Sequence, residues 1–297
     1  MDIRTVGIVG AGQMGAGIAH VAAASGFDVI LTKIESRVLE NGIETIDRNL
    51  DRQIKKGAVE AASKAEIVGR INTSTHVDEH RCADLVVESA VESLTIKSEI
   101  FRQLDELCPA ETLLASNTSS ISITRLAAVT GRPDWIIGMH FMSPVPVMRL
   151  VEVVRGLETS ETTVSTIRQV AERMGKIPVE CADHPGFVSN RLLMPMINEA
   201  VFAVSEGIAT PESIDKIMTL GANHPMGPLR IADLIGLDNC LSVMRILHDE
   251  LGEDKYRPCP LLVKMVDAGY LGRKTGSGFY TYGEGEAQAF HPARGYR

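Results

Sequence analysis

Near its start the chain reads Thr5-Val-Gly-Ile-Val-Gly10-Ala-Gly12-Gln-Met-Gly15-Ala-Gly-Ile-Ala. An apolar strand runs into G-x-G-x-x-G, and a helix of small residues follows. Few folds accept that order, because each glycine has its own mechanical task. Gly10 permits the tight turn out of the strand. Gly12 leaves no side chain where a pyrophosphate must approach the backbone, and Gly15 lets the helix pack close to the sheet. The N-terminus of that helix then offers unpaired N–H groups and a positive dipole end to phosphates. The turn, with Gln13 and Met14 inside it, is therefore expected to cradle a dinucleotide.

Composition narrows the class. The chain has 297 residues, comfortable for two domains, and is 44% hydrophobic and 23% charged, so it buries a sizeable core. A net charge of −8 argues against general nucleic-acid binding, and no apolar run reaches the roughly 20 residues of a membrane span. Met1-Asp-Ile-Arg leads straight into the first strand, so no targeting peptide is expected. Cys82, Cys108, Cys181, Cys240 and Cys259 show neither C-x-x-C nor metal-ligand spacing, so reduced thiols, a cytoplasmic location and no metal are expected.

The first half alternates strands and helices. Strand candidates are 28–32, 83–88, 112–116, 135–141 and 150–154; helical stretches are 35–57 and 94–107. Continuous apolar strands separated by helices imply a parallel sheet covered on both faces. Beyond Pro185 the character turns helical, at 191–207, 211–220, 229–251 and 260–269. The expected organisation is a doubly wound α/β domain over 1–184, joined at the Asp183-His-Pro-Gly-Phe187 turn to an all-α domain over 185–283. A disordered tail is expected over 284–297.

Such folds usually place an acid at the end of the second strand to hold the adenine ribose. Lys33 occupies that position. Lys33, with Arg37, suits a 2′-phosphate; alternatively Glu35 takes over the acidic task, or Lys33 is simply solvated. NAD and NADP both remain open.

Three segments carry candidate chemistry. Ala115-Ser-Asn117-Thr-Ser119-Ser120 ends a buried strand, where open α/β sheets bind ligands; the same residues also suit a helix N-cap. Gly138-Met-His140-Phe-Met-Ser143 is followed by Glu152 on the next apolar run. Histidine is the natural base for an alcohol proton near neutral pH, and a carboxylate orients it, although a structural histidine and an exposed glutamate fit the spacing as well. His184-Pro-Gly-Phe-Val-Ser-Asn190-Arg191 opens the helical domain, with Asn190 either a donor to a substrate carbonyl or an N-cap. His20, His76, His80 and His248 read as surface or packing residues, His224 as a turn feature, and Met194 and Met196 as core fillers.

Together these segments resemble the L-3-hydroxyacyl-CoA dehydrogenase family. The matches are Gly-Ala-Gly-Gln-Met-Gly (10–15), Ala-Ser-Asn-Thr-Ser-Ser (115–120), Gly-Met-His-Phe (138–141), Pro-Val-Pro-Val-Met (144–148), Leu-Val-Glu (150–152) and Pro-Gly-Phe-Val (185–188) with Asn190-Arg191. Asn-His-Pro-Met-Gly-Pro-Leu (223–229), Ala-Asp-Leu-Ile-Gly-Leu-Asp (232–238) and Leu-Gly-Arg-Lys-Thr-Gly (271–276) continue the pattern, which spans nearly the whole chain. The resemblance implies a Rossmann-type sheet domain, a helical domain used for homodimerisation, a nicotinamide cofactor and an acyl-CoA substrate. It implies His140 as general base with Glu152 as its partner, and Ser119 and Asn190 on the substrate C3 oxygen. By the same resemblance Glu92, Lys97 and Asn117 fall at cofactor positions, and Arg52, Lys55 and Lys56 where coenzyme A phosphates are met. Two departures accompany it: Lys33 replaces the usual Asp, and Ser143 replaces the usual Asn at a cofactor position that meets the nicotinamide or ribose. The same fold also serves sugar-acid dehydrogenases of the gulonate type and non-catalytic dinucleotide-binding proteins.

Overall fold

Six strands of the first half, Thr5–Val9 (β1), Asp28–Thr32 (β2), Ile71–Ser74 (β3), Leu85–Glu88 (β4), Leu113–Ser116 (β5) and Ile136–Phe141 (β6), pair in parallel in the order β3-β2-β1-β4-β5-β6. Leu150–Arg155 (β7) and Ile177–Ala182 (β8) extend the sheet beyond β6. The sheet is not parallel throughout, as the apolar runs suggest: β7 pairs antiparallel with β6, and β8 lies parallel to β7. The reason is the connection. Residues 142–149 are too few for a crossover helix, so β7 turns back beside β6. The strands at 71–74 and 177–182 escape sequence analysis because both are sheet edges. The outer one, β8, is mostly exposed and carries Pro178, which an edge tolerates.

The computed structural model describes residues 1–283 and 288–289. Its contacts separate two units, Met1–His184 and the residues from Pro185 onward. In the first unit, helices Gln13–Ala24 (α1), Ser36–Lys55 (α2), Ser63–Gly69 (α3), Leu94–Leu107 (α4), Ile123–Ala127 (α5) and Glu161–Arg173 (α6) flank the sheet. Helix α2 shows the usual logic: Leu39, Gly42, Ile46 and Leu50 recur every three or four residues and are buried, while its other faces are polar. The core is the sheet itself, with Val6, Ile8, Leu31, Leu85, Val87 and Ile137 fully or almost fully buried.

The second unit packs Ser189–Ser205 (α7), Pro211–Gly221 (α8), Pro228–Ile235 (α9), Leu237–Leu251 (α10) and Pro260–Asp267 (α11) around its own apolar cluster. The stretch 229–251, expected as one helix, is two, because Gly236 at φ +101° ends the first and starts the second. Two buried carboxylates organise this unit. Asp215 accepts from the Leu229 and Arg230 amides at 2.8 and 3.0 Å, satisfying the start of α9, and from the Tyr280 hydroxyl at 2.7 Å. Asp233 accepts from the Phe279 and Tyr280 amides and the Tyr282 hydroxyl, all at 2.9 Å. The ordered motifs of the C-terminal half therefore build a scaffold. Of the tail 284–297, expected to be disordered, only Gln288–Ala289 is described, paired antiparallel with Tyr280–Thr281; the rest lies outside the described residues.

All five cysteines are free thiols. Among the described residues no helix is long and apolar enough to cross a membrane, and no group of three or more metal-ligating side chains gathers.

Candidate active site

The glycine turn is built as its spacing implies. Gly10 adopts φ +112°, its amide donates to the Thr32 carbonyl at 2.8 Å, and a Cβ there would collide with the Ser89 carbonyl at the end of β4. A Cβ on Gly15 would collide with the Gly10 carbonyl and lie against Ile8 of β1, so glycine here lets α1 close onto the turn and the sheet. A Cβ on Gly12 would meet no protein atom, and Gly12 caps α1 without a side-chain hydrogen bond or an acid in the first turn. The protein's own packing thus does not require glycine at position 12. Open space over unpaired helix N–H groups is what an anionic diphosphate fits. Gln13 Nε2 donates to Ser143 Oγ at 3.2 Å, which brings together two predicted cofactor positions 130 residues apart. Met14 turns partly inward and packs against the core.

At the end of β2, Lys33 Nζ lies 2.9 Å from Glu35 Oε2. That bond holds the exposed Glu35 carboxyl below the usual carboxylate range. Arg37 is exposed beyond the pair.

The Ser116–Ser120 turn wraps around one carboxylate. Glu92 Oε1 accepts from the Thr118 hydroxyl at 2.6 Å, the Ser120 hydroxyl at 3.0 Å, and the Ser119 amide and hydroxyl at 3.0 and 3.3 Å. Lys97 Nζ approaches Glu92 Oε2 at 3.3 Å. Burial works against the Glu92 charge, but Lys97 and these donors outweigh it and hold the carboxyl below its ordinary value. Lys97 itself is 1% exposed, and its ammonium is further occupied by both oxygens of Glu88 at 2.8 and 3.0 Å and by the Ala90 carbonyl. It enters the site as the support of Glu92, not as a surface contact. Glu88, fully buried at the end of β4, also accepts from Ser116 Oγ at 2.7 Å and from the Ala90 amide. Sequence analysis passes over Glu88, although an acid closing an apolar strand is a visible signal. The N-cap alternative for residues 116–120 does not hold. The cap of α5 is Ser122, whose Oγ accepts from the Arg125 amide at 3.2 Å, and Asp183 accepts from the Ile123 and Thr124 amides.

Asn117 spans two loops: its amide nitrogen donates to Ser89 Oγ at 3.2 Å, and its oxygen accepts from the Phe141 amide at 2.9 Å. It thereby ties the serine turn to the end of β6, where His140 stands. The antiparallel ladder sets His140 directly opposite Glu152, a pairing that brings side chains within reach of one another. His140 Nδ1 lies 2.7 Å from Glu152 Oε2, with both residues under one-tenth exposed. An ionised carboxylate only accepts, so Nδ1 carries the proton and Nε2 is the basic nitrogen of the neutral ring. Charge development on the imidazole is favoured by a buried partner at this distance.

In the second unit, α7 begins at Ser189 with Val188 as its N-cap. Asn190 is its second residue and is nearly buried, so the N-cap alternative for Asn190 does not hold either. Arg52, Lys55 and Lys56 are exposed at the C-terminal end of α2, where helix carbonyls favour cations, and form no ion pair among the described residues. His20 and His80, expected as surface or packing residues, are both buried.

A glycine-turn sheet bearing a carboxylate-paired histidine at its C-terminal edge defines a nicotinamide-dinucleotide dehydrogenase. Residues 5–184 match the 3-hydroxyacyl-CoA dehydrogenase NAD-binding domain, and residues 186–282 match the C-terminal domain of the same family. The chain belongs to the 3-hydroxyacyl-CoA dehydrogenase family. It is 51% identical over 280 residues to a 3-hydroxybutyryl-CoA dehydrogenase of Bradyrhizobium diazoefficiens, covering 94% of this chain and 96% of that one. A 3-hydroxybutyryl-CoA dehydrogenase of Clostridioides difficile is 47% identical, covering 93% and 98%. The crystal structure of an (S)-3-hydroxybutyryl-CoA dehydrogenase from Ralstonia eutropha superposes with a TM-score of 0.91 at 50% identity, covering 95% of this chain and all of that one.

Proposed function

We propose that this chain interconverts (S)-3-hydroxybutyryl-CoA and acetoacetyl-CoA, with the buried His140–Glu152 pair as the observation that carries the reading. The bound nicotinamide would supply the hydride acceptor for the alcohol and the donor for the ketone. The residues to hold it are the Gly10–Gly15 turn with Gln13 and Met14, then Glu92, Asn117 and Ser143, with Lys97 behind Glu92. His140 Nε2 takes the hydroxyl proton in oxidation and returns it in reduction. Glu152 keeps the ring in the Nδ1–H tautomer and stabilises its cation. A base so placed is worth about 10²–10⁴-fold. Ser119 and Asn190 are proposed to hold the C3 oxygen, and Arg52, Lys55 and Lys56 the coenzyme A phosphates.

For the cofactor we propose a preference for NAD over NADP. Lys33 is the residue suited to a 2′-phosphate, and its charge is balanced by Glu35 at 2.9 Å. The pair is neutral overall and returns a carboxylate to the end of β2. Exposed Leu192, Ile217 and Leu220 on the helical unit support a homodimer through that unit, and the five free thiols suit the reducing cytoplasm.

The test is acetoacetyl-CoA reduction followed at the nicotinamide absorbance, with NADH and NADPH in parallel and a free sugar acid as control. Turnover of the thioester with NADH favoured is expected. Activity only on the free acid, or tight dinucleotide binding without turnover, would overturn the reading.

A further inference from the structure

Lys176, just before β8, is 8% exposed. Its ammonium donates to the carbonyls of Val145 and Met148, the latter at 2.9 Å. No carboxylate pairs with it among the described residues, and burial pushes its pKa down. Burying an ammonium on carbonyls alone is costly, and methionine would fill a similar volume without that cost. The two carbonyls explain what the charge secures, because both belong to the loop 142–149 that joins the strand of His140 to the strand of Glu152.

That loop is a closed unit. The amides of Val147 and Met148 both donate to the Pro144 carbonyl, at 2.9 and 3.0 Å. Its other side rests on α1 at two points. The buried side chain of Val145 sits where Gly17 leaves room, since a Cβ on Gly17 would lie 2.9 Å from Val145 Cβ. Ser143 Oγ accepts from Gln13 Nε2 at 3.2 Å. The loop is thus held between Lys176 and the helix that opens at the glycine turn.

We infer that Lys176 is a positioning residue that sets the Ser143 loop against the dinucleotide turn, so that its loss weakens cofactor binding and leaves proton transfer intact. The inference rests on the reading above that the glycine turn holds a nicotinamide dinucleotide. Lys176 reaches the cofactor only through the loop, so its effect and that of Ser143 must not multiply.

The experiment is a double-mutant cycle on NADH binding, by titration calorimetry, with the wild type, Lys176→Met, Ser143→Ala and the double variant. Lys176→Met is expected to raise the NADH Kd about tenfold and Ser143→Ala about fivefold, the scale of a lost hydrogen bond. The double variant should bind NADH no more weakly than Lys176→Met alone, and the kcat of Lys176→Met at saturating NADH should stay within about threefold of wild type. An unchanged Kd in Lys176→Met overturns the inference, as does a double variant whose loss is the product of the two singles. Should Lys176→Met fail to fold, Gly17→Ala presses on Val145 from the opposite side. It must then raise the Kd with the same non-additivity toward Ser143→Ala, and an unchanged Kd overturns the inference. Absence of NADH binding to the wild type removes the dinucleotide reading as well, which separates the two failures.

Discussion

His80 gives the protein a calculable sensitivity to acid. The ring is fully buried, its Nε2 lies 2.8 Å from Thr32 Oγ1, and its Nδ1 has no hydrogen-bond partner. It fits under the sheet because Gly7 leaves the space that a Cβ would take. Burial alone lowers its pKa from 6.5 to about 4. The folded state therefore resists a proton that the unfolded chain accepts from pH 6.5 downward, and stability falls as pH falls between those values. The shift of about 2.5 pH units at 1.36 kcal/mol each amounts to about 3 kcal/mol of stability lost between pH 7 and 4. His20, also lowered by burial, acts in the same direction. Asp215 and Asp233 act oppositely: burial raises both, so their destabilising charge is relieved as pH drops through the raised value. Those two lie in the helical unit, whereas His80 lies in the sheet unit. The sole tryptophan, Trp135, packs against the sheet-unit core, so its fluorescence in urea reports the unit that contains His80. Against a His80→Gln variant, whose amide approximates Nε2 but does not titrate, the wild type should lose about 3 kcal/mol more between pH 7 and 4. At a typical m-value that is a midpoint roughly 1 M urea lower. Parallel pH dependences for the two proteins would refute the reasoning.

Three further outcomes are expected. Glu152→Gln should lower kcat by about 10²–10⁴-fold with NADH affinity within twofold, since it removes the charge opposite the imidazolium and presents an amide to Nδ1; steady-state kinetics and calorimetry decide it. Lys97→Met should destabilise the sheet unit by about 3–5 kcal/mol in urea, because it strands the buried Glu88 carboxylate, and adding Glu88→Gln should recover part of the loss. Glu35→Ala should release Lys33 and shift the kcat/KM ratio about three- to tenfold toward NADPH, an effect that fades in high salt because the pair is exposed.

The sequence by itself determined what is local. The demands on Gly10 and Gly15 arise within six residues and from the neighbouring strand end, and Gly12 is left open over the helix N-terminus, so the dinucleotide turn is legible from spacing alone. The helix over 94–107 and the change to a helical second half follow from periodicity in the same way. His140 and Glu152 were visible as candidates, but nothing in a twelve-residue separation says that the chain turns back between them. Only the antiparallel pairing of β6 with β7 brings them opposite each other. The same holds for Lys97, whose part is fixed by Glu88 and Glu92, and for Gln13, which meets Ser143 from 130 residues away. Spacing left His80 as either a surface or a packing residue, and sequence analysis passes over Lys176. Tertiary packing buried them, giving one a space against Gly7 and the other two carbonyls. Backbone conformation is dictated by neighbours along the chain, whereas burial and polar partnership are dictated by neighbours in space, and those exist only once the sheet has formed.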